Sequence, residues 1–126
     1  MKNSSHLRKL FAFLAYATLP LAATVPASAN AQQVLHTDLI NHVPAAKSLS
    51  VRGPNFGGCY TLQLGRSVLG PDIFTNTSSM YSIIAMRAPG CAGGSGMAGL
   101  YRNFAISGNN GGRLTIEITN QGIDIH

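Results

Sequence analysis

The chain is predicted to be all-β: a small single-domain antiparallel β-sandwich or small barrel of about six to seven strands, stapled by one disulfide. Three observations predict this class. Short runs alternate between apolar and polar residues, most clearly over residues 114–119. Clusters of glycine, proline and asparagine separate these runs. The chain also has only two cysteines, Cys59 and Cys91. Such a pair in an exported domain of this size is expected to form a disulfide.

The first 31 residues have the order of a signal peptide. Basic residues precede an apolar run over residues 10–23, and small residues follow up to Ala31. The apolar run is shorter than the roughly 20 residues that a spanning helix needs. Cleavage is therefore expected after Ala29 or Ala31. The mature protein should be secreted or periplasmic, without a transmembrane segment.

The charge of the mature chain excludes a nucleic-acid partner. Three of the nine basic residues belong to residues 1–31, whereas all four acidic residues follow them. The mature chain thus has six basic and four acidic residues, a formal net charge of +2. Its basic residues are spread singly along the sequence instead of forming the clustered excess that nucleic-acid binding requires.

The mature chain is predicted to have two parts. Residues 32–46 place apolar side chains at mixed spacings, which indicates a flexible or weakly helical N-terminal arm. Residues 47–126 form the sandwich domain. Within it, the alternation over residues 48–52 and the run that begins at Cys59 predict a hairpin.

Three further segments of the domain have distinct signals. Residues 70–72, Gly-Pro-Asp, are predicted to break the chain between strands. Residues 79–88 are the most apolar stretch of the mature chain, so a central strand is expected there. Residues 90–99 contain five glycines and no charge, which predicts a loop.

No catalytic, metal or cofactor site is predicted. His36 and His42 are six residues apart, and metal ligands on one helical face would be three or four apart. The mature histidines, which include His126, lie near the ends of the chain without a nucleophile beside them, and the four acids show no obvious pair. Residues 94–99 match the G-x-G-x-x-G pattern, but the strand-like residues that follow them exclude the helix on which dinucleotide binding depends. The chain is therefore not expected to be an enzyme.

A binding module remains the predicted function: an effector, an inhibitor, or a surface- or carbohydrate-binding protein. Its partners would be a protein, a glycan or a membrane surface outside the cytoplasm. The binding site is placed at the glycine-rich loop of residues 90–99, which two anchored ends would present to a partner. The side chains assigned to it are Arg87, Ser95, Tyr101 and Arg102, because arginine binds anions and tyrosine offers apolar area with a polar tip.

Residues 95–101, with the order Ser-Gly-x-x-Gly-x-aromatic, and the closing strand resemble aegerolysin-type β-sandwich proteins. The resemblance implies binding to membrane lipids. The alternative function is accordingly a membrane-active, lipid-binding or toxin-like sandwich. The chain departs from that family in having no tryptophan and no acidic pair in the glycine segment.

Overall fold

The computed structural model describes residues 31–54, 56–108 and 112–126. The predicted signal peptide lies outside these ranges, apart from Ala31. These ranges contain eight strands in chain order: β1 (Val34–Asn41), β2 (Ser48–Arg52), β3 (Gly57–Thr61), β4 (Ser67–Phe74), β5 (Tyr81–Met86), β6 (Gly96–Phe104), β7 (Arg113–Thr119) and β8 (Gly122–Ile125). A short 3-10 helix, Pro89–Cys91, follows β5. No helix in the described ranges is long and apolar enough to cross a membrane.

The strands form two four-stranded sheets that pack as a sandwich, which confirms the predicted fold class. Sheet A has the order β4-β1-β7-β8, and sheet B has the order β3-β2-β5-β6. The predicted hairpin is confirmed as β2 and β3, and β5 is the predicted central strand. All neighbouring strands are antiparallel except β1 and β7, which run parallel.

The core lies between the sheets, because alternate residues of each strand point inward. Its fully buried apolar members come from five strands: Leu35, Leu39, Leu49, Val51, Ile73, Tyr81, Ile83, Ala85, Ile116 and Ile118. Tyr81 is the largest of them, and its ring contacts Phe56 and Phe104 at centroid distances of 5.9 and 5.5 Å.

The predicted N-terminal arm is wrong, because residues 34–41 form β1, an inner strand of sheet A. The inward-facing residues of β1 are Leu35, Thr37, Leu39 and Asn41. Because two of these four are polar, the apolar residues alone do not show the two-residue period of a strand. Asn41 is satisfied internally: its Nδ2 donates to the carbonyls of Val43 and Ala46, and its Oδ1 accepts from the Val43 amide.

The predicted break at residues 70–72 is also wrong, since β4 continues through them. Pro71 is tolerated because β4 is an edge strand and its pairing with β1 shifts register at this point. With the unpredicted β1, the described residues contain eight strands, above the predicted six to seven.

The predicted loop of residues 90–99 is shorter than expected. The 3-10 helix occupies its start, and β6 begins at Gly96. Gly99 has a φ of 86° within β6, where the register between β5 and β6 shifts. Glycine supports an irregular strand there instead of an open loop.

Candidate functional site

The outward-facing residues of sheet B form the candidate site, here called the disulfide face. Paired residues in a sheet point to the same side, and Leu49 and Val51 are fully buried, so the residues that alternate with them point outward. Following the register across the sheet gives two rows. The rows are Gly57, Arg52, Ser82 and Asn103, and beside them Cys59, Ser50, Ile84 and Tyr101.

The predicted disulfide is confirmed and stands at one side of this face. Cys59 on β3 is bonded to Cys91 at the end of the 3-10 helix, with Cα atoms 5.9 Å apart. Ser48 holds the helix in place: its hydroxyl donates to the Ala88 carbonyl at 2.7 Å and accepts from the Cys91 amide at 3.0 Å. The bond therefore ties the edge strand β3 to the end of the central strand β5.

A cleft of about 490 Å³ opens beside the disulfide, between it and the β2–β3 hairpin. Its lining residues include Ser50, Arg52, Phe56 and both cysteines. Among these lining residues, the ionisable side chain is that of Arg52. The volume falls within the range of small-ligand sites. Phe56 also packs on buried Tyr81, so the hairpin that shapes the cleft is anchored in the core.

A polar network occupies the opposite end of the same face. Asn103 Oδ1 accepts hydrogen bonds from the Ser82 hydroxyl at 2.6 Å and from the Tyr101 hydroxyl at 2.8 Å. Since both bonds use the carbonyl oxygen, the amide hydrogens of Asn103 are available to a ligand. Tyr101 is 54% exposed, so its ring is accessible as well.

The structure does not bring the four predicted binding residues together. Arg87 and Ser95 are joined by a backbone hydrogen bond of 2.8 Å at the end of the β5–β6 connection. The Ser95 hydroxyl donates to the Ala92 carbonyl within that turn. Tyr101 points outward on the disulfide face, whereas its neighbour Arg102 pairs with inward-facing Ile83.

Arg102 instead connects the two sheets. Its Nη1 donates to the Ile123 carbonyl of β8 at 2.8 Å, across the open side of the sandwich between edge strands β6 and β8. This contact accounts for a basic residue in an otherwise apolar alternation. The sequence-based site did not include Arg52, because in the sequence it is an ordinary exposed strand residue; the hairpin and the disulfide place it beside an open cleft.

The outward face of sheet A has the opposite electrostatic character. All four acidic residues of the chain lie on it. His36 pairs with Asp72 at 2.8 Å, and an Arg113 nitrogen lies 2.6 and 2.8 Å from the two oxygens of Asp38. These contacts join β1 to both of its neighbouring strands.

Two further histidines share one carboxylate on this face. His42 Nε2 lies 2.7 Å from one oxygen of Glu117, and His126 Nε2 lies 3.2 Å from the other. The hydrogen bond from His42, followed by that from His126, holds the pKa of Glu117 below its ordinary value of 4.5. Sequence separations of 75 and 9 residues hid this grouping. In the described ranges, no three His, Cys, Asp or Glu side chains are gathered as metal ligands.

No protein-family model, curated protein or solved structure matches this chain. The function is therefore inferred from the geometry of the two faces.

Proposed function

We propose that this chain is a secreted or periplasmic, non-enzymatic binding module whose ligand occupies the disulfide face. The observation that carries the proposal is the cleft beside Arg52, on a face whose described outward side chains include no carboxylate. An exposed cation beside a shaped recess suits recognition of a ligand. Export agrees with the predicted signal peptide and with a disulfide, which persists in oxidising compartments.

The placement of the histidines favours binding over catalysis. His36, His42 and His126 lie on the outward face of sheet A, each hydrogen bonded to a carboxylate. The general acids and bases that hydrolysis would use are therefore on the side of the sandwich opposite to the cleft. A ligand bound on the disulfide face should be released without chemical change.

The exposed apolar residues favour a binding module over a membrane-active protein. In the described ranges, the exposed large apolar residues come from the start of β1, the β3–β4 connection, β4, the position before β5, and β6: Val34, Leu64, Leu69, Met80 and Tyr101. Such separated positions do not build the contiguous apolar patch by which lipid-binding surfaces are recognised.

The test uses mature protein recovered from the exported fraction, with its disulfide intact. The protein is applied to immobilised polysaccharides and, separately, to vesicles of neutral, anionic and sphingolipid-rich composition. Any bound probe is mapped by NMR chemical-shift changes and then recovered and weighed by mass spectrometry. The proposal expects binding to a polysaccharide, shifts confined to sheet B, and an unaltered probe.

Four outcomes would count against the proposal. Sedimentation with vesicles in the absence of polysaccharide binding would favour the lipid-binding alternative. Shifts centred on sheet A would place the site on the wrong face, and a shortened polysaccharide chain would indicate a hydrolase. Failure to bind any member of the panel would also contradict it.

A further inference from the structure

We propose that the ligand of the disulfide face is an acidic polysaccharide, whose carboxylate or sulfate groups bind Arg52 while its hydroxyls bind the Asn103 network. This inference rests on the proposed function, because it names the ligand class of the same face. Three features of the face carry it: the position of Arg52, the polar row beside it, and the distribution of charge over the whole domain.

Arg52 is placed to receive an anion from outside. Its β3 neighbour in the register is Gly57, whose missing side chain leaves one flank of the guanidinium open. The ion pairs of the described residues use Arg113 and the histidines, all on sheet A, so Arg52 is not engaged in one. A planar guanidinium binds carboxylate or sulfate oxygens through two parallel hydrogen bonds.

The row from Gly57 through Arg52 and Ser82 to Asn103 crosses all four strands of sheet B. Three gaps between strands make it about 14 Å long. An extended chain laid along it would meet the guanidinium first and the amide of Asn103 last. Hydroxyl and amide groups are the partners that sugar hydroxyls use, and the exposed ring of Tyr101 offers a flat apolar surface beside them.

Charge selects an acidic polymer for this face. The four carboxylates lie on sheet A, whereas Lys47, Arg52 and Arg87 lie within or at the ends of sheet B strands. An anionic chain along the row therefore meets Arg52 without a carboxylate beside it, while Lys47 and Arg87 add positive charge at the other ends of β2 and β5. Such segregation steers an anionic ligand to one side of a mature chain whose formal net charge is +2.

The surface chemistry favours a sugar polymer over an acidic protein. Ile84 is the single aliphatic side chain in the two rows, and it is half-buried. A protein interface usually has a desolvated apolar centre, which these rows do not provide. A sugar chain needs only the polar row and one exposed aromatic ring.

The test compares probes that differ in charge alone. Isothermal titration calorimetry measures binding of polygalacturonate against its methyl ester, and of dextran sulfate against dextran. Polyglutamate serves as the acidic peptide arm. We expect the charged sugars to bind at least about tenfold more tightly than their neutral partners, with affinity that falls as salt rises. The carboxylated and sulfated arms distinguish the two sources of the anion.

Variants then locate the contact. Arg52→Ala should reduce affinity for the charged sugars at least about tenfold, and Arg52→Lys should reduce it less, because charge is kept while the bidentate geometry is lost. Asn103→Ala should weaken binding to a smaller degree. Arg113→Ala is the matched control, since it removes the same formal charge from the opposite face and should leave affinity unchanged.

Equal affinity for the methyl ester and the free acid would overturn the acidic class while leaving a sugar-binding module standing. Tighter binding of polyglutamate than of polygalacturonate would overturn the assignment of the ligand as a polysaccharide. Equal losses for Arg52→Ala and Arg113→Ala would show attraction by net charge alone and overturn the site. Binding to vesicles but to no polysaccharide would instead be a failure of the proposed function itself.

Discussion

Replacing Tyr81 with phenylalanine tests how the two sheets are held together. Tyr81 is on β5 of sheet B and is fully buried, and its hydroxyl accepts a hydrogen bond of 2.9 Å from the amide of Phe74 on β4 of sheet A. The bond closes the connection that crosses from one sheet to the other. The variant keeps the aromatic ring against Phe56 and Phe104, so that only the hydroxyl is lost.

The expected cost follows from the donor that is left behind. The amide of Phe74 lies in a partly buried setting, and a buried donor that loses its partner costs about 1–3 kcal/mol. We expect the free energy of unfolding to fall by about 1.5 kcal/mol, near the lower part of that range, because the setting is not fully dry. For a domain of this size, each kcal/mol lowers the melting temperature by about 4–8 °C.

Urea unfolding followed by circular dichroism measures the change, and amide hydrogen exchange at Phe74 locates it. Tyr101→Phe is the control, because that hydroxyl is bonded to exposed Asn103 and its loss should cost less than about 0.5 kcal/mol. If Tyr81→Phe lowers the free energy of unfolding no more than the control does, and hydrogen exchange at Phe74 is not accelerated, the inter-sheet hydrogen bond does not stabilise the fold.

Three further predictions concern the disulfide, a glycine and a carboxylate. Replacing Cys59 and Cys91 together by serine should lower the free energy of unfolding by about 3–4 kcal/mol in urea titrations, because the bond closes a loop with a sequence separation of 32; a loss under about 1 kcal/mol would contradict this. Gly53→Ala should cost about 1–3 kcal/mol, since a Cβ there would overlap the ring of the buried tyrosine, whereas Gly93→Ala, with nothing within 4 Å of the new atom, should be nearly neutral. Glu117 has a folded pKa below its ordinary 4.5, so its contribution to stability is complete above that pH and declines as pH falls through the lower folded value. Thermal unfolding of Glu117→Gln should therefore depend less on pH below 4.5 than that of the parent, and identical profiles would refute the linkage.

The sequence by itself determined the fold class, the disulfide and the strands with regular alternation. Residues 114–119 were recognisable because leucine and isoleucine occupy every inward position of β7. The hairpin of β2 and β3 was recognisable because turn residues separate two alternating runs. In these segments, the residues that the local strand pattern places on the inward side are the ones that the folded structure buries.

Only the tertiary structure decided the identity of β1, the continuity of β4 and the composition of the two faces. β1 is an inner strand with polar Thr37 and Asn41 inside, and their burial depends on partners supplied by Pro71, Val43 and Ala46. β4 accommodates Pro71 because an edge strand has one side without a ladder.

The candidate site could not be read from sequence for a related reason. Charged residues are spread singly along the chain, but in a strand every second residue points to the same surface. The order of strands in each sheet then determines which of these residues become neighbours on that surface. The same rule separated Tyr101 from Arg102, which are adjacent in sequence but point to opposite sides of β6. Strand order depends on pairing between segments that are far apart in the sequence, and the local pattern of residues does not specify that pairing.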